Sequence, residues 1–142
     1  MSQKLAAPAR AFIKRAAFWL FWPAMAVVIY GQLSPDPEAN LPDLGWDKLL
    51  HFTAYFGLSL LATLAWGRRV HALLILAVVL ALGGALEIIQ SMVGRDAEWG
   101  DMLANTLGAM LGTGLAVGAL TIAKRVDARH AGTRLVGPRK GD

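Results

Sequence analysis

Cysteine is absent from this 142-residue chain, which excludes disulfides and thiolate metal sites. Charge is scarce as well. Asp, Glu, Lys and Arg make up 17% of the residues, against roughly a quarter in soluble proteins. No internal repeat is visible, and the length is that of one domain. The polar stripe that every helix of a soluble bundle presents to water is also missing. What is present instead is apolar sequence, 56% of the chain, gathered into runs. Residues 16–35 carry no charge, 49–67 carry only His51, and 70–86 and 102–123 contain no Asp, Glu, Lys or Arg. Each run approaches the ~20 residues a helix needs to cross a bilayer core. The expected fold is all-α, a four-helix transmembrane bundle. Its helices are expected at about 16–34, 47–67, 70–93 and 101–123, between a basic segment at 1–15 and a basic disordered tail at 124–142.

A cleavable signal peptide has a shorter apolar core that ends in small residues. Here the first run is long, ends in IYGQLSPDP and lacks an A-x-A-like site, so an uncleaved first helix is expected. Pro23 removes a backbone hydrogen bond in that helix and is expected to bend it without a functional role. The following connection, SPDPEANLPDLGWD, holds three prolines and is expected to be extended.

Positive charge is distributed unevenly. Lys4, Arg10, Lys14 and Arg15 precede the first run, Arg68 and Arg69 lie in the second connection, and Lys124, Arg125, Arg129, Arg134, Arg139 and Lys140 follow the last. The first and third connections hold Asp36, Glu38, Asp43, Asp47, Asp96, Glu98 and Asp101, with Lys48 and Arg95 as their cations. The positive-inside rule places both termini and the second connection in the cytoplasm. Trp46 and Trp99 then mark the outer interface and Trp66 the inner one. The basic tail is expected to anchor this topology near anionic headgroups. No nucleic-acid-binding motif accompanies it, and no nucleic-acid partner is expected.

The few polar residues in the runs are spaced to share faces. Asp47, His51, Tyr55 and Ser59 recur every four residues, as do Asp101 and Asn105. Gly108, Gly112 and Ala116 continue nearly the same stripe, a small-xxx-small pattern that permits close helix approach. The third helix carries Gly83, Glu87 and Gln90 on one face. Glu87 precedes Gly94 by seven residues, roughly 10 Å below the outer end at the helical rise. His51 and Asn105 are roughly 6 Å in from Asp47 and Asp101 on the same count. All therefore lie in the outer half of the membrane. A charged carboxylate at a helix centre costs ~2.5–3.5 kcal/mol on insertion scales. Glu87 is off centre, yet it still calls for a partner, a proton or access to water. His51, Arg95, Asn105 and Gln90 are the available partners. A buried Glu that only fixes helix packing is the structural alternative.

These residues also form a recognisable pattern. WDKLLHFTAYFGL followed by LEIIQSMVGRDAEWGDMLANTLGAMLG resembles the VanZ-like family of bacterial membrane proteins. The family's Asp-Lys-x-x-His-Phe segment with a nearby Tyr corresponds to Asp47, Lys48, His51, Phe52 and Tyr55. Its Glu-x-x-Gln, Arg, Asp and Asn-x-x-Gly-x-x-x-Gly correspond to Glu87, Gln90, Arg95, Asp101, Asn105, Gly108 and Gly112. The resemblance runs from about Ser34 to Leu115 and does not include the first helix or the tail. It implies a multi-pass protein of the bacterial cytoplasmic (inner) membrane, related to a namesake linked to lowered susceptibility to the glycopeptide teicoplanin.

Three readings follow. In the first, Asp47, His51, Tyr55, Glu87, Gln90, Arg95, Asp101 and Asn105 bind membrane lipids, an envelope lipid or a lipid-linked precursor, with Arg95 on a phosphate. An enzyme of the same site would use His51 and Glu87 as base and acid, with Asp47 or Asp101 orienting the His or holding a divalent cation. Glu87, His51 and Asp101 are its catalytic candidates. No nucleophile motif and no metal motif such as H-E-x-x-H is present, so the motifs name no reaction class; outside this enzyme reading no cofactor and no metal are expected. In the remaining reading the protein is a scaffold or small transporter, with the glycines of helix four packing on a partner or a second copy. Gly83, Gly108 and Gly112 are the helix-packing candidates.

Overall fold

The computed structural model describes residues 3–34, 46–67, 70–92 and 98–135. These form four helices: α1 (Gln3–Leu33), α2 (Trp46–Trp66), α3 (Ala72–Met92) and α4 (Trp99–Leu135). Local chemistry sets several of the ends. The His71 carbonyl accepts from the Leu74 and Ile75 N–H groups, and its ring Nδ1 accepts from Leu73, so His71 caps α3. The Glu98 carbonyl starts α4 in the same way. Asp47 and Asp101 sit in the first turns of α2 and α4, where a carboxylate complements the helix dipole. α1 runs through Pro23 without interruption.

The helices alternate in direction, and α2 is the hub, packing most extensively on α4 and next on α1. The α2–α4 contact is close because α4 offers a small-residue face. A Cβ on Gly108 would meet the Phe52 carbonyl, and one on Gly112 the Phe56 carbonyl. Ala104, Ala109 and Ala116 are buried on α4 as well. The core gathers Val28, Tyr55, Leu58, Ala62, Ile75, Val79 and Ala109 from all four helices. Where α2 ends, Trp66 lies edge-on to Phe18 and Phe21 of α1, with ring centroids 5.4 and 5.0 Å away.

Outside this core the surface is apolar. Trp19, Val27, Leu73, Val78, Ile88, Leu107, Leu111 and Ile122 are all more than half exposed. All four helices are long and apolar enough to cross a membrane. α4, with 37 residues, is roughly 55 Å long at 1.5 Å per residue, against ~30 Å of hydrocarbon.

The expected helix limits need two corrections. α1 begins at Gln3, so the basic N-terminal segment is helical from residue 3, and α4 continues to Leu135, so residues 124–135 of the tail expected to be disordered are helical. No proline interrupts α4 before Pro138, and Arg10 of α1 forms an ion pair with Asp127 of α4 across these extensions. The first connection (expected to be extended), Arg68 and Arg69, and residues 136–142 lie outside the described residues.

Candidate functional site

The i, i+4 stripe of α2 and the first turns of α4 face each other because Gly108 lets the two backbones approach just below. This brings Asn105 of α4, fully buried, against His51 of α2. His51 Nδ1 is 3.0 Å from Asn105 Oδ1, and Asn105 Nδ2 donates to Glu87 Oε1 of α3 at 3.5 Å. The amide group thus has its donor end turned to the carboxylate and its carbonyl turned to the imidazole, which assigns His51 Nδ1 as an N–H donor. His51 Nδ1 is also 3.8 Å from Glu87 Oε1. Three helices therefore meet at one residue, and Asn105 is the bridge.

The fourth helix joins through Gln32. Tyr55, also fully buried, donates its hydroxyl to Gln32 Oε1 at 3.2 Å. Gln90 Nε2 donates to the Gln32 backbone carbonyl at 2.9 Å. Gln32 Nε2 stands 3.4 Å from His51 Nδ1. With Nδ1 already donating to Asn105, two N–H groups face each other there, so the shorter Asn105 contact defines the tautomer. The Tyr55 ring in turn packs on Gly83, where a Cβ would come within 3.0 Å of it.

On the other side of the imidazole lies an acidic rim. His51 Nε2 is 3.5 Å from Asp47 Oδ1 and 3.9 Å from Asp101 Oδ2. Lys48 Nζ bonds Glu98 at 2.7 Å and approaches the opposite oxygens of the same two aspartates, at 3.8 Å from Asp47 Oδ2 and 3.6 Å from Asp101 Oδ1. Between α3 and α4 a cavity of about 400 Å³ reaches Glu87. Its walls are Gly84, Ile88, Ser91, Glu98, Trp99 and Met102.

The structure thus gathers Asp47, His51, Tyr55, Glu87, Gln90, Asp101 and Asn105 around one centre. Arg95 lies outside the described residues. Two participants are missing from the sequence-based site. Gln32 could have been found as the lone amide in the uncharged run 16–35. Lys48 appears there only as part of the family pattern, although its neighbours Asp47 and His51 mark it. Further down the α2 stripe, the hydroxyls of Ser59 and Thr63, with Thr113 of α4, are buried without hydrogen-bond partners. None of the three is ionisable, so the described part of this stripe offers no charged relay through the bundle. Gly108 and Gly112 are covered by α2 of the same chain, which leaves that glycine face closed to a second copy.

Four apolar spans around a buried polar centre define a multi-pass membrane protein of the helix-bundle class. More specifically, the chain belongs to the VanZ/LLP1 family, whose model matches residues 7–122. No curated protein and no solved structure matches it.

Proposed function

We propose that this protein binds or handles an envelope lipid or lipid-linked precursor at the centre around His51, Glu87 and Asn105. The observation that carries the reading is the cavity between α3 and α4. It joins a buried carboxylate to the apolar flank of the bundle, which is where a lipid approaches a membrane protein. Its volume lies within the range of small-ligand sites, about 300–1,000 Å³, and suits a headgroup with the start of its chain. Ile88, Trp99 and Met102 offer apolar walls, while the Glu87 and Glu98 carboxylates accept hydrogen bonds. The described lining therefore favours a headgroup rich in donors, such as sugar hydroxyls or an amine. The distribution of Lys and Arg supports a cytoplasmic-membrane protein with both termini inside, so that the cavity opens in the outer leaflet.

A scaffold is the second reading, and a specific observation favours it too. The bonds among Gln32, Tyr55, His51, Glu87, Gln90 and Asn105 tie all four helices together, which would be useful with no ligand. Glu87→Gln separates the two. The amide carbonyl can still accept from Asn105, so the bundle should assemble. Lipid retained by the purified protein, measured by native mass spectrometry, should fall at least ~10-fold, the effect of losing about 1.4 kcal/mol of interaction. Equal lipid occupancy in a folded Glu87→Gln protein would leave the scaffold reading and remove the lipid one.

A further inference from the structure

His51 holds a nitrogen that the lipid reading does not use. The residue is 6% exposed, and its Nδ1–H is committed to Asn105 Oδ1. In the neutral ring Nε2 is then an unprotonated acceptor. Among the described residues it has no hydrogen-bond partner, and it is aimed at two further acceptors, Asp47 Oδ1 and Asp101 Oδ2. Asp101 is itself 4% exposed, and its Oδ1 also makes no hydrogen bond. His51 Nε2, Asp47 Oδ1 and Asp101 Oδ2 thus converge on one point at the N-terminal ends of α2 and α4.

Their spacing is that of ligands gathered around a cation. At 3.5 and 3.9 Å the contacts are longer than the ~2.7–3.2 Å of a good N–H···O bond. Two ligands each ~2.1 Å from one cation at a tetrahedral angle are separated by roughly 3.4 Å. One ligand atom from each of Asp47, His51 and Asp101 lies within 4.8 Å of the others, a group that small side-chain rotations would close onto a single ion. Lys48 does not occupy that position, because it approaches the other oxygen of each aspartate and is drawn outward by Glu98. The outer shell agrees as well. A metal-bound imidazole characteristically donates its second N–H to a carboxylate or carbonyl that fixes its orientation. Here Asn105 accepts it, and Asn105 is held in turn by Glu87.

We propose that Asp47, His51 and Asp101 form a binding site for one first-row divalent cation, of the zinc or manganese class. A nitrogen ligand beside two carboxylates suits such an ion better than calcium, which takes oxygen. Three protein ligands leave coordination positions open, the arrangement of a site that also engages water or a ligand oxygen. The inference does not rest on the lipid reading, since it requires no lipid.

The test uses the full chain in detergent micelles, purified through a tag without histidine and stripped with chelator. Zn²⁺ is titrated calorimetrically, and Mn²⁺ is followed by electron paramagnetic resonance. Saturable binding of one ion per chain is expected. Asp47→Asn and His51→Gln should each weaken it by at least ~10-fold, the lower end of the effect of disturbing a ligand's support. Asp127→Asn, at the far end of the bundle, should bind as the wild type does. Thermal unfolding of each variant confirms that it is folded, and the wild-type titration stands without them. Absence of saturable binding by the wild type overturns the proposal, as does affinity unchanged by both Asp47→Asn and His51→Gln. A ¹⁵N spectrum showing His51 still protonated at Nε2 under excess Zn²⁺ also overturns it, since an imidazolium would then hold the two carboxylates.

Discussion

Replacing Gly108 by alanine should destabilise the bundle, whereas the same change at Gly114, six residues further along α4, should not. The Cβ added at Gly108 meets the carbonyl oxygen, carbonyl carbon and Cα of Phe52, all backbone atoms of α2. No rotamer change can relieve that contact, so α2 and α4 must separate. Overpacking of a tight interior costs typically ~1–3 kcal/mol, and a backbone obstacle places Gly108 at the upper end. Alanine gains up to ~1 kcal/mol over glycine in helix propensity, so the net loss is about 2 kcal/mol, or roughly 30-fold in the folding equilibrium. At Gly114 nothing lies within 4 Å of the added methyl group. There only the propensity gain acts, and stability should be unchanged or slightly higher. Reversible unfolding in mixed detergent and denaturant micelles measures both. The site gives a second readout, because moving α4 off α2 lengthens the 3.0 Å contact between His51 and Asn105. The His51 ring resonances should shift in Gly108→Ala and stay in place in Gly114→Ala. Equal stability of the two variants would refute the close crossing and, with it, the account of how the site is assembled.

Two further outcomes are expected. Reporter fusions at residue 69 and after 124 should read as cytoplasmic and those at 40 and 97 as external, as the Lys and Arg asymmetry requires; the reverse pattern would place the cavity in the inner leaflet. Because the chain has no cysteine, cysteine pairs at 51 and 87, or 87 and 105, should cross-link within one chain, and a pair at 64 and 105 should not. Leu64 lines a separate cavity with Arg10, Lys14 and Asp127 near the opposite end of the bundle. Linking of the control pair, or linking of the test pairs only between chains, would contradict the single centre.

The four spans were legible in the sequence because membrane crossing depends on a local property. A helix in hydrocarbon satisfies its own backbone, so about twenty apolar residues identify it without reference to any neighbour. The polar faces were legible for a related reason: four-residue spacing fixes that Asp47, His51 and Tyr55 share a side, and likewise Asp101 and Asn105. Spacing does not fix how each helix is rotated against the next. Only the tertiary structure decided that Asn105 stands between His51 and Glu87, and that His51 turns one nitrogen to that amide and the other to Asp47 and Asp101. Gln32 entered the site for the same reason. A lone amide has no periodic partner in its own helix, and its role arises only where α1 lies beside α2 and α3. The glycines of α4 show the same division. Their spacing announced a close contact, but steric fit against the Phe52 and Phe56 carbonyls, which no one-dimensional pattern contains, decided that α2 of the same chain fills it.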